Sequence, residues 1–142
     1  MNLFGVLDIS AGALQAERLR AEVTAANLAN AETTRTEQGG PYVRQQVIFS
    51  AARNMAALGG SLADAQVQGV SVSGPVSDQS PPVMRYEPGN PDANAEGMVA
   101  YPAINPVQEM VDMMGAARAY QLNAAAVQST KNMVQSSIDI LH

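Results

Sequence analysis

Residues 105–114 read NPVQEMVDMM, and this stretch predicts the start of a long α-helix. Asn105 is a favourable N-cap, and Pro106 suits the first helical position because that position needs no backbone N–H. Gln108 completes a capping-box-like pair with Asn105. No proline follows Pro106 in the chain. We therefore expect one helix from about Pro106 to Asp139, roughly 50 Å long at ~1.5 Å per residue.

The predicted helix carries an apolar stripe whose members are spaced three and four residues apart, which is the pattern of a coiled-coil seam. Alanine in the stripe permits close helix approach, and methionine tolerates varied packing surfaces. Gly115, inside the helix, fits a neutral surface position and a close helix crossing equally well. The stripe consists of Met110, Met113, Ala117, Tyr120, Ala124, Val127, Lys131, Val134, Ile138 and Leu141, and only Lys131 is charged.

A second helical segment is predicted near the other end of the chain, over residues 8–31, with Asp8 or Ser10 as its N-cap. It ends in AANLANAETTRT, residues 25–36, where asparagine and threonine offer the backbone competing hydrogen bonds. Its stripe is apolar until the last member and consists of Ile9, Gly12, Ala16, Leu19, Val23, Ala26 and Asn30.

The middle of the chain, residues 37–104, is predicted to be β-rich with long loops. YVRQQVIF (42–49) and GVSVSGPV (69–76) have strand character, and short strand-like pieces flank turn signals at 87–94. GGSLADAQVQG (59–69) is typical of a flexible stretch. The fold class that we expect is mainly α with a small β insert.

Composition indicates that the helices need partners. Aromatic residues make up 4% of the chain, tryptophan is absent, and alanine with eight methionines supplies most of the apolar content, so a compact core would be thin. The charged fraction is 15%, below the roughly 25% of ordinary domains. Neither terminal helix can bury its stripe alone. We therefore expect the helices to pack on each other and on neighbouring molecules.

Charge and cysteine content exclude several classes of function. The net charge is −5, the eight basic residues are scattered, and nucleic-acid binding is not expected. The chain has no cysteine, which excludes a disulfide framework and a thiolate nucleophile. The first basic residue is Arg18, so the N-terminus does not read as a secretory signal peptide. No run of about 18 apolar residues predicts a membrane span, and the long stripe lacks the basic polar face of a membrane-surface helix.

No enzyme chemistry or cofactor is predicted, and we expect no catalytic residue. The single histidine, His142, is the last residue, and no glycine-rich phosphate loop follows a strand and opens a helix. Acidic pairs such as Glu17 and Glu22 are typical of solvated helix faces.

One segment half-matches a metal-binding motif. Asp92, Asn94, Glu96 and Gly97 follow the opening of a calcium loop, but position twelve is Ala103, where a bidentate glutamate is required. We interpret the segment as a turn and expect no metal site.

Two stretches carry a resemblance to a known family. Residues 14–49, LQAERLRAEVTAANLANAETTRTEQGGPYVRQQVIF, resemble the N-terminal segment of flagellar axial proteins, the rod and hook family. Residues 80–133, SPPVMRYEPGNPDANAEGMVAYPAINPVQEMVDMMGAARAYQLNAAAVQSTKNM, resemble the C-terminal half of a proximal rod subunit of that family. Ser50–Gly69 matches weakly. Family members commonly show paired asparagines where this chain has Ala26 and Asn27.

The resemblance implies a structural assembly subunit of the flagellar basal-body rod. In this family the terminal helices form an antiparallel coiled coil that lines the inner tube of the rod, and the insert packs outside. This implies one helical unit from 1–36 and 105–142 and an insert at 37–104. Subunits leave through the flagellar type III export apparatus without a cleaved signal, and the rod crosses the periplasm and carries torque from rotor to hook.

The implied partners are copies of the chain, other proximal and distal rod subunits and the rod–MS-ring junction protein. Asn27 and Asn30 are expected to bond to backbone groups where the chain leaves the helix or meets a neighbouring subunit. The alternative is a secreted coiled-coil effector or adaptor that binds a helical partner transiently. The expected assembly and seam positions are Ile9, Ala16, Leu19, Val23, Asn27, Asn30, Met110, Met113, Ala117, Tyr120, Ala124, Val127, Val134 and Ile138.

Overall fold

Two long helices flank four strands in the computed structural model, which describes residues 3–53 and 67–139. The expected class, mainly α with a small β region in the middle, is confirmed. His142 and most of the stretch predicted to be flexible, 59–66, lie outside the described residues. The elements are α1 (Leu3–Ala29), β1 (Gln45–Arg53), β2 (Val67–Ser77), β3 (Val83–Tyr86), β4 (Met98–Tyr101) and α2 (Pro106–Asp139).

The second helix has the predicted bounds. Asn105 caps it, because its Oδ1 accepts hydrogen bonds from the backbone N–H groups of Val107 at 3.0 Å and Gln108 at 3.4 Å. A capping box also requires the Gln108 side chain to bond back to Asn105, and this part of the prediction is wrong. The Gln108 amide donates instead to Asp112 Oδ1 at 3.3 Å, one helical turn further on, where (i, i+4) side chains are neighbours.

The first helix begins earlier than predicted. It includes Leu3, and both expected caps, Asp8 and Ser10, lie within it. Residues 3–10 contain no proline, and Gly5 is the one strongly unfavourable residue there, at about 1 kcal/mol relative to alanine. Ser10 is buried rather than placed at a helix end. The predicted end is close: the helix stops at Ala29 and a turn follows.

The strands form two separate antiparallel pairs. β1 pairs with β2, from Gln45 opposite Ser77 to Arg53 opposite Val67, with two irregularities in the register. β3 pairs with β4, from Val83 opposite Tyr101 to Tyr86 opposite Met98. The strand predictions at 69–76 and on both sides of the 87–94 turn are confirmed, and the 42–49 prediction overlaps the first half of β1.

The β1–β2 hairpin lies against α1, and two glycines permit the approach. A Cβ on Gly12 would lie 3.3 Å from the Val70 carbonyl oxygen. Gly69 has a φ of +124°, and a Cβ there would lie 3.4 Å from Ile9 Cα. Positive φ and close backbone contact both favour glycine at this position. Ile9, predicted as a seam residue, therefore contacts this hairpin.

The two helices pack against each other and run antiparallel. Asn27, near the end of α1, bonds to Glu109 in the first turns of α2, and Arg20 lies beside Gly115 further along. The buried side chains of the described residues are small or polar. They are Ala16, Val23, Val99, Pro102 and Ala116, with Ser10, Thr24, Asn27, Glu109 and Thr130. In the part of the chain that the structure describes, neither helix has the length and hydropathy of a membrane span.

Candidate functional site

The centre of the molecule is a buried asparagine that joins three parts of the chain. Asn27 is 1% exposed. Its amide nitrogen donates to the Gln45 carbonyl oxygen at 2.8 Å and to Glu109 Oε2 at 3.1 Å. Its amide oxygen accepts from the Gln45 N–H at 2.9 Å and the Tyr42 hydroxyl at 3.1 Å. All four hydrogen-bonding positions of this side chain are therefore used.

Glu109 is the second buried member, and an arginine neutralises it. The whole residue is 1% exposed, and Arg44 Nε donates to its Oε1 at 2.7 Å. Arg44 also lies 3.6 Å from Asp78, and its backbone carbonyl accepts from the Asp78 N–H at 2.7 Å. A buried charge is tolerated when it is paired and hydrogen-bonded, so Glu109 depends on both Arg44 and Asn27. We call Asn27, Tyr42, Arg44, Gln45 and Glu109 the polar junction.

The loop after α1 brings the strand residues to Asn27. The Tyr42 N–H donates to the Thr33 carbonyl at 3.0 Å. Between these two residues the chain makes a tight turn, in which the Thr36 N–H donates to the Gly40 carbonyl at 2.9 Å. Gly40 has a φ of +77°, which glycine adopts without strain. Burial, followed by the charge of Glu109, raises the pKa of Tyr42. Tyr42 therefore keeps its proton and remains a donor to Asn27 at neutral pH.

The second asparagine of the helix end acts locally. Asn30 donates through its amide to the Ala26 carbonyl at 2.9 Å, and its Oδ1 accepts from the Thr33 hydroxyl at 3.2 Å. The two asparagines of the stretch therefore differ. Asn27 joins α1 to β1 and α2, whereas Asn30 shapes the turn that follows the helix.

The threonine-rich loop also reaches the β3–β4 connection. The Thr34 hydroxyl donates to Asp92 Oδ2 at 2.7 Å, and Arg35 lies 3.6 Å from Asp92 Oδ1. Asn94 Oδ1 accepts the backbone N–H groups of Glu96 and Met98, each at 2.9 Å. The half-matched calcium motif is a turn here. Across residues 3–53 and 67–139, no group of three His, Cys, Asp or Glu side chains could hold a metal ion.

A cleft of about 220 Å³ opens beside the polar junction, between α1, β1 and α2. Arg20 borders the cleft. It forms an ion pair with Glu17 at 2.7 Å, although the two groups are not aligned for a hydrogen bond. The Arg20 guanidinium lies 5.7 Å from the centre of the Phe49 ring. Asp112 at the other side accepts from Gln108. Arg20 and Asp112 are thus engaged within their own helices, and the pair of Arg44 with Glu109 links the residues before β1 to α2.

The predicted seam divides into buried and exposed members. On α1, Ala16, Val23 and Asn27 are buried, and Leu19 and Asn30 are half-buried. On α2, Met113, Val127 and Val134 are half-buried. The exposed members are Met110, Ala117, Tyr120, Ala124 and Ile138. The assembly role of these exposed residues stays a prediction.

The face of α2 that is most buried is displaced by one residue from the predicted stripe. Glu109, Ala116 and Thr130 are buried where the stripe has Met110, Ala117 and Lys131. Asn123 is half-buried where the stripe has Ala124. Polar residues are tolerated in this face because each has a partner: Glu109 bonds to Asn27 and Arg44, and the Thr130 hydroxyl donates to the carbonyl of Ala126 in its own helix at 2.9 Å.

Sequence reasoning missed four members of the polar junction: Tyr42, Arg44, Gln45 and Glu109. One signal was available. Glu109 is a charged residue one position from an apolar stripe in a helix with few charges, and Arg44 is the one basic residue of the strand-like stretch 42–49. Pairing them, however, requires knowing that the two segments meet.

Comparison with known proteins places this architecture in the flagellar axial class. A family model described as flagella basal body rod protein matches residues 7–35, and one described as flagellar basal body rod FlgEFG protein C-terminal matches residues 95–140. The matches cover most of α1 and the whole of α2.

Similar full-length proteins define the family more narrowly. The chain is 39% identical to the flagellar basal-body rod protein FlgC of Borreliella burgdorferi over 99% of both chains. It is 38% identical to that of Bacillus subtilis, over 99% of both, and 37% identical to that of Salmonella typhimurium, over 99% of this chain and 98% of the relative. The chain belongs to the FlgC family of structural rod proteins of the flagellar basal body.

Proposed function

We propose that this chain is a subunit of the proximal rod and polymerises through its terminal helices. The polymer is the drive shaft that transmits torque from rotor to hook and encloses the export channel. The observation that carries the proposal is the 38–39% identity to rod proteins over 99% of both chains.

The geometry of the helices supports a role in assembly. α1 and α2 pack antiparallel, and we propose that in the rod they form a coiled coil, with 1–36 and 105–142 as one helical unit. Large apolar side chains of α2 are exposed, among them Val107, Met114 and Leu122. Exposed apolar surface on a helix marks an interaction site. In a polymer, neighbouring subunits cover it.

The polar junction supports the mechanical part of the proposal. A shaft that carries torque requires that the residues at 37–104 do not turn independently of the helices. Asn27 and Glu109 join both helices to β1, and Thr34 joins the helix-end loop to the β3–β4 connection. Buried, fully satisfied polar networks rigidify a structure. The junction is therefore suited to hold the insert at a constant angle.

The partners that we propose are copies of this chain, other proximal and distal rod subunits and the rod–MS-ring junction protein. The proposed location is the rod where it crosses the periplasm, reached through the flagellar type III export apparatus without a cleaved signal. In this role the chain acts through contacts between subunits, and we propose no catalytic step for it.

Isolation of intact hook–basal bodies tests the proposal. The preparation is probed for the chain by mass spectrometry and antibody labelling, with a strain that lacks the gene as the control. Labelling in the rod, below the hook, together with loss of motility in the deletion strain is the expected result. A chain that is absent from basal bodies and free in the medium overturns the proposal in favour of a secreted effector or adaptor.

A further inference from the structure

The side of α2 that points away from α1 carries large apolar side chains. Val107 is 68% exposed, Met114 64% and Leu122 66%. We call this surface the outer stripe, and it consists of Val107, Val111, Met114, Arg118 and Leu122. Successive members are four, three, four and four residues apart, which places them along one side of a helix. Among the described residues, no carboxylate lies within ion-pair distance of Arg118.

A different side of α2 forms a groove with α1. The groove has a volume of about 550 Å³. Alanines at positions 21, 116 and 117 form its floor, so it has room for large side chains. We call it the α1–α2 groove, and it is lined by Glu17, Arg18, Ala21, Glu22, Ala116, Ala117, Tyr120 and Gln121.

The two surfaces complement each other in shape and charge. The outer stripe has large apolar side chains around one arginine. The groove has a floor of alanine, and of its two carboxylates Glu17 already pairs with Arg20 at 2.7 Å, which leaves Glu22 as the partner for a further guanidinium. Glu22 pairs with Arg18 at 2.8 Å, but both side chains are more than half exposed. Exposed ion pairs of this kind contribute little to stability, so Glu22 can exchange its partner at little cost.

We propose that the outer stripe of one copy packs into the α1–α2 groove of a second copy, with Arg118 against Glu22. Because one helix carries both surfaces on different sides, a single molecule cannot join its own stripe to its own groove. A two-fold dimer can pair each stripe with the other copy's groove, but it closes after two copies and leaves no stripe or groove free for a further subunit of a rod. The contact is therefore head-to-tail, and repetition of such a contact generates a ring or a helical filament. This inference rests on the proposed rod function and names the contact between copies.

Cysteine cross-linking in assembled basal bodies tests the contact, and the natural chain has no cysteine to interfere. Cells produce two variants together, Met114→Cys and Ala117→Cys, and the isolated basal bodies are oxidised mildly. A disulfide requires Cα atoms within about 7 Å. The expected product is a cross-linked dimer that contains one chain of each variant, identified by mass spectrometry, and it should be several-fold more abundant than dimers from cells that produce either variant alone.

Ala126→Cys is the matched control, because Ala126 is an exposed alanine of α2 outside both surfaces. Its combination with Ala117→Cys should give no dimer above background. Each variant must also keep the helix content and thermal unfolding midpoint of the natural chain, which is expected for exposed positions.

The outcomes separate the contact from the rod function. Dimers from Ala117→Cys alone, or equal yields with the Ala126→Cys control, overturn the head-to-tail contact. Basal bodies that contain both variants without the mixed dimer also overturn it, and they leave the rod function standing. Absence of the chain from basal bodies overturns the proposed function, and the contact falls with it.

Discussion

Asn27 and Glu109 are 82 residues apart in the chain, and they share a buried hydrogen bond of 3.1 Å. One lies near the end of α1 and the other in the first turns of α2. Each is 1% exposed, and the bond is one of four that Asn27 makes. The bond to Glu109 joins the end of α1 to the start of α2, and the two bonds to Gln45 attach the first residue of β1 to α1.

Asn27→Leu should destabilise the chain far more than Asn30→Leu. The first change removes the Asn27 partner of the Gln45 backbone groups and of the Tyr42 hydroxyl, and it leaves Glu109 bonded to Arg44 alone. An unsatisfied buried polar group costs about 1–3 kcal/mol. We expect a loss of about 3 kcal/mol in the free energy of unfolding for Asn27→Leu and under about 1 kcal/mol for Asn30→Leu. Urea denaturation followed by circular dichroism measures both. Equal losses would contradict the central role of Asn27.

In cells, the double replacement of Asn27 and Asn30 by leucine should preserve secretion and impair rod assembly. Secretion is measured by the amount of chain exported, and assembly by motility and by its content in basal bodies. Normal motility would show that the helix end tolerates both changes.

Glu109 and Arg44 should be strongly coupled in a double-mutant cycle. Their ion pair measures 2.7 Å, and the side chain of Glu109 is 2% exposed. Glu109→Gln and Arg44→Met should each destabilise the chain, and the double variant should lose less than the sum, with a coupling energy of about 1–3 kcal/mol. Arg18 and Glu22, an exposed pair of similar length, provide the control, with an expected coupling of about 0.3–0.5 kcal/mol.

Gly97→Ala should disturb the β3–β4 connection. Gly97 has a φ of +76°, and a Cβ there would lie 2.9 Å from Tyr86 Cε2 and 3.2 Å from Pro88 Cβ. We expect a loss of about 1–3 kcal/mol in the free energy of unfolding, since strained backbone of this kind costs that much. Gly89→Ala is the matched control, because open space surrounds Gly89. A neutral Gly97→Ala would mean that the turn relaxes.

Glu87 should contribute stability that is lost in acid. Hydrogen bonds from Asn90, and then from Tyr101, hold the pKa of Glu87 below its ordinary value of 4.5. A carboxylate with a lowered folded pKa stabilises the fold above its unfolded pKa, and this contribution disappears as the pH falls through the folded pKa. The stability difference between the natural chain and Glu87→Gln should therefore be largest at neutral pH and shrink below pH 4.5.

Urea unfolding of both proteins over that pH range measures the effect. Glu96→Gln, in the same connection, changes an exposed carboxylate and is the control. A constant difference between the natural chain and Glu87→Gln at all pH values would contradict the assignment.

Two alanines of α2 separate folding from assembly. Ala116 is fully buried against α1, whereas Ala124 is exposed in the single chain. Ala116→Glu should unfold the helix pair, because an unpaired buried charge costs several kcal/mol. Ala124→Glu should leave the unfolding free energy of the monomer nearly unchanged and block rod assembly. Unchanged swarming of the Ala124→Glu strain would show that Ala124 faces water in the rod as well.

Much of the local structure was predictable because local chemistry decides it. Asn105 caps the helix that Pro106 begins, a helical apolar pattern follows them directly, and no later proline interrupts it. Alternating valines in GVSVSGPV form a strand for a similar reason. The start of α1 was less predictable. Asp8 and Ser10 are of residue types that often cap helices, but such residues can also lie inside a helix, as both do here.

The sequence by itself determined the two terminal helices, strand-forming segments between them and, through its similarity to rod proteins, the family. The tertiary structure alone decided which face of α2 meets α1. Alanines 116 and 117 are neighbours of equal hydropathy, so the apolar pattern cannot choose between them. The deciding residues, Asn27, Arg44 and Glu109, are polar, and a polar residue reveals that it is buried only when its partners, distant in the chain, are brought to it.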